Sequence, residues 1–169
     1  MPKKPIEYDE KKSHYIAATA IIMKKGKYLI AKRASWEKSF PNLWTVPGGK
    51  LETKDYINTP KSTNSPQWYN IIERLLQREV SEEVGLKIKN IRYLCDLVFL
   101  RPDRIPVVTF SMYADWAGGR VVLEDSLTDY AWVTTKEAKK YELIDGIWEE
   151  LEMLDKILSG KKVTKWQKK

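Results

Sequence analysis

The octapeptide Arg78-Glu79-Val80-Ser81-Glu82-Glu83-Val84-Gly85 is the densest concentration of chemistry-bearing side chains in the chain. On a helix turning about 100° per residue, Glu79, Glu82 and Glu83 stand at i, i+3 and i+4, so three carboxylates share one face while Val80 and Val84 point away. Their mutual repulsion at a wet surface is only about 0.2–0.5 kcal/mol per pair, so a solvated helix face could carry it. Alternatively, a hard divalent cation bridges the oxygens. Mg2+ takes carboxylates, carbonyls and water in an octahedron and shares its remaining positions with substrate phosphates. Upstream, Trp44-Thr45-Val46-Pro47-Gly48-Gly49-Lys50-Leu51-Glu52 ends a short strand in a Pro-Gly-Gly turn. The missing side chains there let a backbone carbonyl or amide come close to a metal or phosphate.

These groups must be held by elements that are legible around them. Ile72, Leu76, Val80 and Val84 recur every four residues, Gly85 can close the helix in the left-handed conformation, and Ser65-Pro66 offers an N-cap followed by a proline at the first helical position. A helix over Pro66–Val84 is predicted, preceded by a polar, turn-rich loop at residues 56–70 that includes Asn58–Ser65. Two aliphatic runs, Tyr15–Met23 and Lys27–Lys32, flank Lys-Lys-Gly and read as a hairpin. Ile91–Leu100 and Val107–Trp116 form a second pair, and Ala131–Thr134 a short further strand. Ile147, Leu151, Leu154 and Leu158 make the apolar stripe of a closing helix. Strands interleaved with helices indicate a layered α/β or α+β domain.

The 169 residues fit one domain, residues 15–159, between a polar N-terminal extension, residues 1–14, and a basic tail, residues 160–169, GKKVTKWQKK. No apolar run approaches the ~18 residues of a membrane span and no signal peptide is visible, so a cytoplasmic protein without a membrane partner is expected. A single cysteine, Cys95, and a single histidine, His14, exclude disulfide scaffolds, thiolate clusters and histidine-rich metal sites. The net charge of +7 suits polyanionic partners such as nucleotides. For the tail, composition favours a solubilising terminus over an RNA tether, and the tail is expected to be dispensable for small-molecule chemistry. Oligomeric state has no sequence signal.

The two motifs together resemble the Nudix hydrolases, whose box runs G-x5-E-x7-R-E-U-x-E-E-x-G-U with U aliphatic. Arg78, Glu79, Val80, Glu82, Glu83, Gly85 and Leu86 match its second half without a gap, and five residues separate Gly49 from Asp55. Asp55 stands where the box has Glu, and 22 residues in place of 7 separate it from Arg78, an insertion of 15. Ala31-Lys32-Arg33, Phe40-Pro41-Asn42-Leu43-Trp44 and Asp129-Tyr130-Ala131-Trp132-Val133 extend the likeness over roughly Tyr15 to Lys140. The resemblance implies an α/β/α sandwich around a mixed sheet and hydrolysis of a nucleoside diphosphate linked to another group. It also implies Mg2+, or Mn2+, held by Glu79, Glu83 and the Gly48 carbonyl. Glu82 would be a third ligand or the base, and Arg78 an orienting residue in the catalytic group. Asp55 is left outside the ligand set, and a further carboxylate is expected from the loop bearing Glu124, Asp125 and Asp129, with Glu124 and Asp125 better placed.

Arg33 and Arg101, at strand ends, are candidates for substrate phosphates, although strand-end arginines are more often surface charge. Trp36, Trp68 and Phe99 could stack a base, and Trp68 could lid the pocket from the insertion, although rim or core packing is the commoner fate of aromatics. Two rival readings remain. A nucleotide-sensing module that does not hydrolyse would be expected to lose one of the three glutamates, and all three are present. An isoprenoid-diphosphate isomerase would want a cysteine near the Pro-Gly-Gly turn, whereas Cys95 falls in a predicted strand.

Overall fold

The computed structural model describes residues 13–169, so the first twelve residues of the polar extension lie outside the described residues. Strand β1 (Tyr15–Lys24) is the spine of the sheet. It meets β2 (Lys27–Arg33) antiparallel only beside the turn, at Met23↔Tyr28 and Lys24↔Lys27. The strands then diverge, and the first half of β1 pairs instead with β4 (Gly48–Lys50), setting Thr19 opposite Gly48. Its other edge runs parallel to β6 (Pro106–Gly119) from Tyr15↔Val107 to Met23↔Asp115. Strand β5 (Leu86–Leu100) closes that side antiparallel to β6, while β2 carries β3 (Trp44–Thr45) and β7 (Leu127–Val133). The result is one mixed seven-stranded sheet, ordered β3-β2-β1-β6-β5 with β4 on β1 and β7 on β2.

Helices cover both faces of this sheet. Ala18, Ala20 and Ile22 of β1 and Leu29 and Ala31 of β2 bury against Leu75, Leu76, Val80 and Val84 of α1 (Ile71–Val84). The alternate residues Ile21, Tyr28 and Ile30 bury against Leu151, Met153 and Leu154 of α3 (Ile147–Leu158). Strands covered on two sides need apolar residues at consecutive positions, which is why β1 and β2 read as unbroken aliphatic runs. The short α2 (Thr135–Ala138) is set by a capping box between Thr134 and Glu137. The mixed α/β class and the α/β/α layering agree with the sequence reading.

Three boundaries differ from it. The predicted helix over Pro66–Val84 begins five residues later, because Asn70 takes a left-handed conformation (φ 60°) and Ser65-Pro66 is used within the loop, where Gln67 N–H donates to the Ser65 carbonyl. Strand β5 starts at Leu86 rather than Ile91, since Leu86 and Lys87 pair with Gly119 and Gly118. Strand β7 starts at Leu127 rather than Ala131, its polar Thr128-Asp129-Tyr130 being recruited by pairing along β2. In β7 a paired neighbour overrides a composition that looks unlike a strand, whereas the added Leu86-Lys87-Ile88-Lys89 of β5 alternates apolar and polar as a half-buried strand does.

The tail does not run free into solvent. Val163 packs on the α3-side core, and Trp166 Nε1–H donates to the Gly146 carbonyl at 3.2 Å. Lys168 Nζ lies 2.5 Å from Asp145 and 3.5 Å from Glu149.

Candidate active site

The backbone geometry that builds the site begins at β4. Because β4 lies against β1 and beneath α1, its residues have no room for side chains on the helix side: a Cβ on Gly49 would stand 2.3 Å from the Glu79 carboxyl. Glycine is therefore what lets the strand and the acidic helix approach each other. The contact is polar, for Gly48 N–H donates to Glu83 Oε2 at 2.9 Å, fixing the carboxylate against the Pro-Gly-Gly turn.

Arg78 organises the other side of the cluster. Its Nε donates to Asp55 Oδ1, its Nη2 to Asp55 Oδ2 and to the Lys50 carbonyl, both at 3.1 Å, and its Nη1 to Glu79 Oε1 at 2.7 Å and Glu82 Oε2 at 3.1 Å. One guanidinium thus ties the Pro-Gly-Gly strand, the entrance to the insertion and the acidic helix together. Its planar fork can do this where a lysine could not. Asp55 is the buried end of the clip, with a side chain only 1% exposed. Its Oδ2 also accepts from Glu52 N–H at 2.8 Å, closing a single 3₁₀ turn over Thr53–Asp55. The shorter acid therefore makes the structural contact despite the 15-residue insertion. Burial raises the Asp55 pKa, but the Arg78 and Glu52 hydrogen bonds prevail and hold it below the ordinary carboxylate value. Arg78 is in turn pushed up, chiefly by Asp55.

The glutamates differ sharply in setting. Glu82 is 48% exposed, with Lys54 Nζ at 3.7 Å in addition to Arg78. Burial raises the pKa of Glu79 in spite of Arg78. Burial also pushes Glu83 up to about 8, and Glu79 and Glu124 add to the rise, against the opposing pull of the Gly48 N–H and, more weakly, Arg33. A carboxylate among other carboxylates, with no basic side chain hydrogen-bonded to it, has a clear chemical complement in a hard divalent cation. The donor set is entirely oxygen, as Mg2+ or Mn2+ requires. The residues therefore fit such an ion. Among the described residues no three acidic, histidine or cysteine side chains already converge at ligand distance, so binding requires Glu79 and Glu82 to reorient away from Arg78.

Of the flanking candidates, Glu124 is brought in: its N–H donates to the Glu83 carbonyl at 2.9 Å and its charge reaches the Glu83 carboxylate. Asp125 and Asp129 exert no comparable influence on it. Arg33 is near enough for its charge to be felt weakly at Glu83, while its guanidinium donates to the Ser39 carbonyl at 2.8 Å and Glu37 at 3.0 Å. Arg101 does not join them; it pairs with Asp103 at 2.8 Å and lies 5.4 Å from the Tyr15 ring. Trp68 packs against Tyr56, the ring centroids 5.2 Å apart and tilted by 50°, and donates to the Thr59 carbonyl, stapling the insertion internally. Phe99 meets Phe40 at 5.7 Å. The sequence reading gave no role to Glu52, which sits 4.0 Å from Arg78; its signal was the acid three residues before Asp55 at the start of a turn.

A NUDIX domain model matches residues 12–155. The chain belongs to the Nudix family. It is 26% identical over 134 residues to a nucleoside triphosphatase NudI from Klebsiella pneumoniae (strain 342), covering 73% of this chain and 84% of the relative. It is also 31% identical over 122 residues to an 8-oxo-dGTP diphosphatase from Buchnera aphidicola, covering 72% and 78%. Its fold is similar to that of a MutT NUDIX hydrolase from Burkholderia pseudomallei (TM-score 0.66, 22% identity, 85% of this chain and 99% of that one). It is likewise similar to the NUDIX domain of Shewanella oneidensis NrtR complexed with ADP ribose (TM-score 0.65, 20% identity, 89% and 94%). This Nudix pyrophosphohydrolase contains, among its described residues, no helix long and apolar enough to cross a membrane.

Proposed function

We propose that this Nudix enzyme hydrolyses the diphosphate linkage of a nucleoside triphosphate or of a nucleoside diphosphate derivative, with Mg2+ or Mn2+ as cofactor. One observation carries the reading: the half-buried Glu83 accepts from the Gly48 N–H, feels the charges of Glu79 and Glu124, and has no side-chain cation hydrogen-bonded to it among the described residues. The named relatives, a nucleoside triphosphatase and an 8-oxo-dGTP diphosphatase, support the substrate class.

Glu79, Glu83 and the Gly48 carbonyl would hold the ion, with Glu124 as the additional carboxylate. When bound, it supplies charge neutralisation at the phosphate oxygens and lowers the pKa of coordinated water. The protein's own contribution is positional. Glycine at position 49 permits the close approach, Arg78 restrains Glu79 and Glu82, and Asp55 holds Arg78 from below. Glu82, the most solvent-accessible of the three, is suited to accept the proton of the attacking water. Arg33, whose charge is felt at Glu83, could meet a substrate phosphate by exchanging its Glu37 contact.

The test is phosphate or nucleotide release from a panel of nucleoside triphosphates, ADP-ribose, dinucleoside polyphosphates and nucleotide sugars, with and without chelator, for the wild type and Glu82→Gln. Turnover is expected to need the divalent ion and to fall at least ~100-fold in the variant with its melting temperature retained. Full turnover by Glu82→Gln on every substrate would reject its role.

A further inference from the structure

Lys50 belongs to two neighbourhoods at once. Its carbonyl accepts from Arg78 Nη2 in the acid cluster at 3.1 Å, while its exposed side chain carries Nζ to 5.3 Å from the centroid of the Tyr15 ring. Arg101 approaches the same ring, its guanidinium carbon at 5.4 Å. Strand pairing explains the gathering. Ala17 stands opposite Lys50, Tyr15 opposite Val107 and Val107 opposite Phe99. Paired residues, and residues two apart in a strand, share a face, so Lys50, Tyr15 and Phe99 line up on one side of the sheet. Farther along β1 that face is covered by α3, where Ile21 lies in the core. At this end it is open, and Tyr15 is 41% exposed. A recess of about 400 Å3 lies beside Tyr15 and Lys50, walled further by His14, Ile16, Leu51 and Glu52. It adjoins the acids directly. Glu52 Oε1 is 4.0 Å from Arg78 Nη1, and Lys50 is two residues, or ~7 Å of extended chain, from Gly48.

Two cations over one half-exposed aromatic contribute little to folding where water reaches them. Their complement is a flat ring that carries negative charge: the ring stacks on the tyrosine and on apolar walls such as Ile16, and the cations turn to its phosphates. We propose that this recess is the subsite for the heterocyclic base of the substrate, which stacks on Tyr15 while Lys50 and Arg101 meet the phosphate chain. This rests on the hydrolase reading above and names the residues by which that site selects a nucleotide over a bare polyphosphate. Both cations can make the exchange. Lys50 is a flexible side chain leaving the same strand that carries Gly48, and Arg101 is held by Asp103 at 2.8 Å in a pair that water reaches. Arg101, remote from the acids, thus has its phosphate contact here.

The experiment compares the wild type with Tyr15→Ala and Tyr15→Phe in the full-length chain, using dGTP as the nucleotide and inorganic tripolyphosphate, which has no ring, as a competitive inhibitor. Loss of an aromatic stacking partner weakens nucleotide binding by on the order of tenfold. Tyr15→Ala is therefore expected to raise KM for dGTP about tenfold and to leave the tripolyphosphate inhibition constant within about twofold, with Tyr15→Phe, which keeps the ring, close to wild type. A rise for dGTP below about threefold, or a tripolyphosphate shift as large as the nucleotide's, overturns the inference. If none of these proteins turns over any nucleotide, the hydrolase reading fails separately. Calorimetric binding of dGTP then decides the subsite: about tenfold weaker binding by Tyr15→Ala supports it, and equal binding or none overturns it.

Discussion

Two carboxyls, the half-buried Glu83 and the buried Glu150, stand on opposite sides of the sheet in opposite surroundings. Glu83 on α1 meets a backbone N–H and two more acids, Glu79 and Glu124, and is pushed up to about 8 mainly by burial. Glu150 on α3 is likewise pushed up by burial, to about 7, but it meets a hydroxyl, Ser111 Oγ–H at 2.5 Å, in addition to its neighbour Glu149. Both are costly to ionise in place. Further acids accumulate around the first, whereas the second has its hydrogen-bonding capacity used by the protein and Lys168 standing over Glu149. The difference teaches that burial alone does not distinguish the two acids: further carboxylates gather around Glu83, whereas Glu150 is bonded to a hydroxyl of the core.

The sharpest way to break the comparison is Glu83→Gln. Turnover is expected to drop by on the order of 10³-fold while the melting temperature holds or rises, since an isosteric amide removes a buried charge. Kinetics beside calorimetry would show both, and a variant that keeps its activity would place Glu83 with Glu150, outside the reaction. Next in size is Arg78→Ala. It leaves Asp55, with its 1% exposed side chain, without its counter-charge and should cost about 3–5 kcal/mol in urea unfolding. A loss below ~1 kcal/mol would mean that the clip does not organise the site.

On the α3 side the expected effects are smaller and depend on pH. The folded-state pKa of Glu150 lies above the unfolded value, so the folded protein binds the extra proton between them. Its stability therefore declines as pH rises from about 4.5 to about 7. Glu150→Gln should flatten that decline, making the variant more stable than wild type by roughly 1–3 kcal/mol at pH 8 and not at pH 4. Parallel urea midpoints at the two pH values check this, and parallel wild-type and variant profiles would refute it. The smallest change is expected from Trp68→Ala, about 1 kcal/mol of stability from the lost ring contact and hydrogen bond. Turnover should stay within about twofold, whereas a true lid would lose far more.

The α1 cluster was readable because three of its determinants are local: glutamates at helical spacing, a glycine closing the helix, and a Pro-Gly-Gly turn. The hairpin of β1 and β2 and the stripe of α3 were readable for the same reason. What escaped depended on partners distant in sequence. Asp129 looked like loop until β2 recruited it, and Ser65-Pro66 has the chemistry of a helix start but is spent on a turn in the insertion. Lys168 and Trp166 looked like a solvated end because nothing in their own neighbourhood shows that Gly146 and the α3 acids lie beside them. Arg78 bonds Glu82 at the i+4 spacing visible in the sequence, but its grip on Asp55 spans an insertion whose path no spacing rule could supply.

The left-handed Asn70 has a mechanical consequence for that insertion. The chain turns sharply there before the first helical residue; the rotation of α1 is held by Leu75, Leu76, Val80 and Val84 in the core and by Arg78 on Asp55, with Arg74 reaching back to Thr59 at 2.6 Å. Lengthening or trimming this segment would leave the glutamates facing the same direction, while Arg78 and Asp55 fasten its far margin to β4 through the Lys50 carbonyl. Closing a longer loop between two fixed ends adds only about 0.6 kcal/mol per doubling. The region is thus a replaceable cassette beside the reaction centre, able to change size and surface chemistry without retuning the machinery it borders.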